Sequence, residues 1–188
     1  MAMFNRLALM KAHVILAAFV LPAAILFLVT GALYTWGVKG AYDTTAYELS
    51  LDAPLQADLP TLVSLAAAEL QKRNLEVPSG EAKIKRAGTS FKLEWTGSRM
   101  DVVIEPTTQP LVARLKIKRT SLHRQFVQLH KAKGGIPFKV YAALFSAALL
   151  LLLITGFVMA WQTPILRKQT AVSASLGIVV FVVMVAFS

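Results

Sequence analysis

The sequence predicts an integral membrane α-helical protein with three transmembrane helices and a small α+β domain inserted between helices 1 and 2. Two observations carry this prediction. Apolar residues make up 56% of the 188 and charged residues only 16%, and the apolar ones gather into blocks, which is not the pattern of a soluble domain of this size. Conversely, all ten Asp and Glu and sixteen of the twenty Lys and Arg lie between residues 37 and 139. That solvated segment carries a net charge of +6 and separates the first apolar block from the others.

Residues 1–11 are the expected cytoplasmic N-terminus. Residues 12–36 form transmembrane helix 1, a charge-free run with Pro22 and Gly31 inside it. About 20 such residues cross a hydrocarbon core about 30 Å thick. Arg6 and Lys11 would suit a signal peptide, but the run far exceeds an h-region of roughly 7–15 residues, so an uncleaved anchor is expected. Residues 136–162, uncharged from 140 to 161, are transmembrane helix 2. A cytoplasmic loop, 163–170, holds Arg167 and Lys168, and 171–188 is transmembrane helix 3. The positive residues of the short segments, Arg6, Lys11, Arg167 and Lys168, fall on one side of a three-span topology. This places the N-terminus inside and the inserted domain outside.

Within the inserted domain, 37–119, "DLPTLVSLAAAELQKRN" from Asp58 to Asn74 reads as a helix. Asp58 is a suitable cap, Pro60 fits the first turn, and Leu62, Leu65, Ala66, Glu69 and Leu70 share one mainly apolar face. Four strand-like runs follow: "AKIKRAG", "FKLEWTG", "MDVVIEP" and "LVARLKIK". Turn-rich "AGTS", "TGSR" and "TTQP" separate them. One helix on a small antiparallel sheet is the packing these pieces favour. Residues 120–135, "TSLHRQFVQLHKAKGG", form an amphipathic interfacial helix leading into transmembrane helix 2.

The absence of cysteine excludes disulfides, iron–sulfur clusters and thiolate ligation of haem. No acid–base or nucleophilic constellation is visible, and no glycine fingerprint for a dinucleotide. Nucleic acid is not an expected partner, since no aromatic–basic platform is present.

Three histidines remain: His13, His123 and His130. A polar ring at the start of a span is costly unless it has a function or rests among headgroups. His123 and His130, seven apart, share a helical face, and a solvated interfacial helix explains them as well. The spans also share an ending: "LVTGALYTW" closes the first and "LITGFVMAW" the second. Because the two spans run in opposite directions, Gly156 is predicted near the depth of His13 and Gly31 somewhat below His130, the pattern of an inverted pair. A glycine opposite a histidine would leave room for a flat macrocycle, or simply allow close helix packing through small residues.

The pattern His13, then Thr30-Gly31, followed by Leu129-His130, Gly134, Gly135, an apolar run, Thr155-Gly156 and "FVMAW", resembles the PepSY-associated transmembrane family of bacterial inner-membrane proteins. The helix-plus-sheet segment, including "VVIEPTTQPLVARLKI", is similar to a PepSY domain. The family includes haem b ferric-siderophore reductases and smaller proteins that promote ferric iron reduction. The resemblance therefore implies a haem-dependent oxidoreductase of the inner membrane, with electrons passed outward from haem b to Fe(III) or ferric chelates in iron acquisition. It implies a cofactor site of His13, His130, Thr30, Gly31, Thr155 and Gly156, with the two histidines on the haem iron. Met159 is the alternative axial ligand. The basic domain, then periplasmic, would attract anionic ferric chelates or headgroups, or its lysines merely solvate the sheet. His13 and His130 are predicted near opposite membrane faces, so a homodimer in which each meets its symmetry mate is expected. The electron donor would be a quinol or a separate reductase. The alternative is a non-enzymatic tethered PepSY regulator or an accessory subunit of a metal transporter.

Overall fold

The computed structural model describes residues 6–88 and 90–188. Residues 1–5 of the expected cytoplasmic N-terminus and Thr89 of the "AGTS" turn lie outside the described residues. The chain divides into two compact units. One comprises the described part of residues 1–24 together with Leu144–Ser188; the other is Ile25–Ala143.

Three long helices dominate: α1 (Arg6–Thr35), α4 (Gly135–Trp161) and α5 (Pro164–Ala186). Their 30, 27 and 23 residues correspond to about 45, 40 and 35 Å at 1.5 Å rise per residue. Each is long and apolar enough to cross a membrane, and each is apolar around its circumference, the mark of a helix surrounded by apolar material on every side. Among the described residues of the first unit only Val20, Ala23 and Phe145 are buried within the chain, and α5 buries no residue at all. Helix α5 begins earlier than the sequence suggested. Residues 163–170, expected as a loop, are helical from Pro164 onward, leaving Gln162 and Thr163 as the connection. Proline at the first helical position is pre-organised for this start, and Arg167 Nε donates to the Trp161 carbonyl (2.8 Å) across the turn.

The second unit contains a five-stranded antiparallel sheet in the order β1-β5-β4-β3-β2. Its strands are β1 (Tyr42–Ser50), β2 (Ala82–Ala87), β3 (Ser90–Trp95), β4 (Met100–Pro106) and β5 (Val112–Thr120). Helix α2 (Leu59–Gln71) covers one face. Asp58 caps it by accepting from the Thr61 backbone N–H (3.0 Å), and Leu62, Ala66 and Leu70 are fully buried against the sheet. The register lines up Ile84, Leu93, Ile104 and Leu115 across four strands, so the core is a cross-strand row under an apolar helical stripe. Strand β1 was not among the sequence-predicted strands. It is an edge strand, and Leu49 alone of its nine residues is buried, so it carries almost no alternation to read.

Helix α3 (Leu122–His130) follows β5 after the cap Ser121, whose hydroxyl accepts from Arg124 N–H (3.2 Å). It is shorter than the interfacial helix expected over 120–135. Ala132 at φ 57° and Gly135 at φ 80° form the elbow from which α4 starts.

Candidate functional site

Two local arrangements repeat the same geometry, one within each unit. In the first unit, Thr155 on α4 donates its hydroxyl to the Leu151 carbonyl one turn back (2.8 Å). A hydroxyl has one proton, so the oxygen facing His13 can only accept. His13 Nδ1 lies 2.8 Å from that oxygen and is therefore the donor. The next residue is Gly156: a Cβ there would sit 3.6 Å from His13 Cε1, so the imidazole rests on bare helix backbone.

In the second unit α1 supplies the Thr-Gly pair, and the histidine is His130, the last residue of α3. Thr30 on α1, 3% exposed, donates to the Leu26 carbonyl (2.7 Å) and accepts from His130 Nδ1 at 3.0 Å. A Cβ on Gly31 would meet His130 Cε1 at 3.2 Å. The Phe27 ring packs against the same imidazole, with centroids 5.1 Å apart. Each Thr-Gly pair thus supplies an acceptor and a gap for a histidine on a different helix, His13 of α1 or His130 of α3. The gap beside each glycine is filled by the imidazole itself.

Both rings are held as Nδ1–H tautomers by this arrangement, which leaves the Nε2 lone pair free. Among the described residues neither His13 Nε2 nor His130 Nε2 has a hydrogen-bond partner. A neutral imidazole anchored through Nδ1–H and open at Nε2 is the state a metal-ligating histidine requires. The described residues contain no cluster of three or more His, Asp or Glu that would hold a bare metal ion.

The remaining expected site residues are placed differently. His123 contacts the Val38 carbonyl through Nε2 (3.2 Å), tying α3 to the segment after α1. Met159 lies one turn beyond Thr155 on α4, and its carbonyl accepts the Thr163 hydroxyl (2.9 Å).

Sequence reasoning missed the polar network that fixes α3, and hence His130, to the sheet. Gln128 is fully buried; its Nε2 lies 3.1 Å from both Asp101 carboxylate oxygens and 3.1 Å from the Tyr42 hydroxyl. Tyr42 donates to Asp101 Oδ2 (2.5 Å), Arg124 Nη2 donates to the Tyr42 oxygen (3.0 Å), and Gly97 N–H caps Asp101 Oδ1 (3.0 Å). Burial, together with the Asp101 carboxylate, pushes the Tyr42 phenol up to about 12. The signal was the run Val102-Val103-Ile104: Val102 and Ile104 face the α2 core, so a buried Val103 and Asp101 mean that the opposite face is covered as well.

Three membrane-length apolar helices, a sheet domain between the first two, and paired His/Thr-Gly contacts define a class of helical membrane protein with an inserted α+β domain. The chain belongs to the PepSY-associated TM region family, whose model matches residues 2–163. No curated protein and no solved structure matches the chain.

Proposed function

We propose that this chain is a haem b protein of the bacterial inner membrane that passes electrons outward to Fe(III) or ferric chelates. The observation that carries the reading is the twice-repeated histidine whose Nδ1 is held by a threonine and whose Nε2 is free. The donor set fits haem iron: a neutral nitrogen ligand of fixed tautomer, in an apolar helical setting, with no competing carboxylate cluster. His13 and His130 would hold the haem iron through Nε2, with Met159 the alternative ligand residue beside His13. When bound, haem b would supply one-electron chemistry at low dielectric cost. Thr155 and Thr30 hold the Nδ1 side of each ring and so leave Nε2 as the ligand atom, and Gly156 and Gly31 let the rings lie close to the backbone. One imidazole per motif suits a homodimer in which each histidine meets its symmetry mate. In the orientation set by the positive residues of the short segments, the N-terminus is cytoplasmic and the sheet domain periplasmic. A quinol or a separate reductase would deliver electrons from within.

Absorption spectroscopy of the purified full-length protein tests the reading. A Soret band that is reduced in both His13→Ala and His130→Ala is expected. A colourless protein from cells supplied with ample haem would overturn it and leave the tethered regulator or transporter subunit.

A further inference from the structure

Beyond the histidine motifs, the second unit contains a cleft of about 420 Å³ between the β2–β3 end of the sheet and the α3–α4 elbow. Five lysines and two glutamates line it, a formal excess of three positive charges. Its polarity follows from strand alternation. Ile84 takes the core side of β2, so Lys83 and Lys85 project from the opposite face, where the elbow residues Lys131 and Lys133 and the early α4 residue Lys139 complete the lining.

The glutamates do not neutralise this set. Glu81 is shared by Lys139 (2.6 Å) and Lys83 (3.0 Å), and Glu94 by Lys85 (2.6 Å) and Lys92 (3.0 Å). These contacts hold Glu81 at about 2, so it stays ionised and saturated. Among the described residues Lys131 reaches only Tyr34, with its ammonium 3.5 Å from the hydroxyl. The half-buried Lys133 ammonium has no hydrogen bond or ion pair among the described residues. Burial, with Lys131 and Arg124 nearby, holds Lys133 below the usual lysine range despite the opposing pull of Asp101.

The elbow is also fixed in place. Ser79 donates to the Lys133 carbonyl (3.2 Å), and a Cβ on Gly80 would lie 2.5 Å from the Thr96 carbonyl and 3.3 Å from the Lys133 carbonyl. Two ammonium groups without an ion pair among the described residues, over a rigid, close-packed floor, form a complementary field for concentrated negative charge. The cleft volume falls within the range of small-molecule sites.

We infer that this cleft binds a small multivalent oxyanion, a polycarboxylate or phosphate-class group, with Lys131 and Lys133 as its principal cations. A ferric polycarboxylate is one such anion and an anionic lipid headgroup another. The site stands independently of the haem reading, because binding can be measured without haem. Binding of the anion gives Lys133 the direct ion pair that Asp101 and Glu94, which act on it only through their charge, do not.

The probe is citrate, titrated calorimetrically at pH 7 and low salt into the full-length protein in nanodiscs of neutral phosphatidylcholine. Saturable binding is expected. The double variant Lys131→Gln/Lys133→Gln should weaken it at least tenfold, and Arg114→Gln/Lys116→Gln, matched in charge but outside the cleft, should change it less than threefold. In nanodiscs containing phosphatidylglycerol, retained citrate affinity assigns the site to a free anion, and loss that the outside variant does not reproduce assigns it to the headgroup. Absence of saturable citrate binding in neutral nanodiscs, or equal effects of the two double variants, overturns the inference.

Discussion

Replacing Thr30 by valine keeps the shape of the side chain and removes the oxygen that accepts from His130 Nδ1. In the native arrangement the Thr30 proton is committed to the Leu26 carbonyl at 2.7 Å, so the 3.0 Å contact stabilises only the Nδ1–H tautomer. A net hydrogen bond of this kind contributes about 1 kcal/mol, which at RT near 0.59 kcal/mol is roughly a fivefold bias in the tautomer ratio. The assay is imidazole ¹⁵N NMR of histidine-labelled, haem-free protein at pH 8.5, above the ordinary titration range of the ring. His130 should appear as the Nδ1–H form in the native chain and shift about fivefold toward Nε2–H in Thr30→Val, while Thr30→Ser restores the native ratio. Thr155→Val should do the same at His13 and leave His130 unchanged. A native chain with both rings predominantly Nε2–H would refute the reasoning, because Nε2 would then not be available as a ligand atom.

Two further outcomes follow from distances already given. Gly156→Ala should be neutral or raise stability by up to about 1 kcal/mol through helix propensity, since its Cβ meets His13 at an ordinary 3.6 Å. Gly31→Ala, at 3.2 Å from His130, should lose that gain as the ring moves aside; thermal unfolding of the pair should show Gly31→Ala as the less stable. Because Tyr42 ionises only at about 12 in the folded chain, against about 10 for an ordinary phenol, its contribution is complete below pH 10. It is lost as pH rises from 10 to 12. Tyr42→Phe should flatten that part of the stability-against-pH curve.

The parts of the fold that were legible are those whose physics is local. Charge-free runs of span length announced the helices, and the cap Asp58 with Pro60 marked the start of α2. Alternation in "LVARLKIK" marked β5, because alternate residues there face the core. Strand β1 was illegible for the opposite reason: at the sheet edge its side chains stay exposed, so no burial imposes a period of two. The start of α5 was misjudged because Arg167 and Lys168 read as loop, whereas a helix leaving an interface accepts cations in its first two turns once their side chains can reach water. The Gln128–Asp101–Tyr42 network was hidden because each member looks like an ordinary surface residue. Only the covering of the second sheet face by α3, a tertiary fact, turns them into a buried set.

The candidate site shows the same division. The repeated Thr-Gly pair and the histidines were visible as a pattern, and opposite helix directions were enough to match each pair with the other span's histidine. What the pattern could not supply was the division of labour. Glycine was expected either to make space for a macrocycle or to allow close helix packing. In the folded chain that space is taken by the imidazole, and the threonine beside it sets which nitrogen keeps its proton. In the folded chain the motif acts as a holder for a histidine. This also explains why the two residues occur together. Threonine's hydroxyl serves as a pure acceptor where it back-bonds to its own helix, and the glycine beside it lets the ring lie against bare backbone, tightly at Gly31 and at ordinary contact distance at Gly156. Unequal spacing of His13 and His130 from the next Thr-Gly pair along the chain does not disturb this logic, since each pair serves a histidine on a different helix, His13 of α1 or His130 of α3, and has no need to count residues along its own.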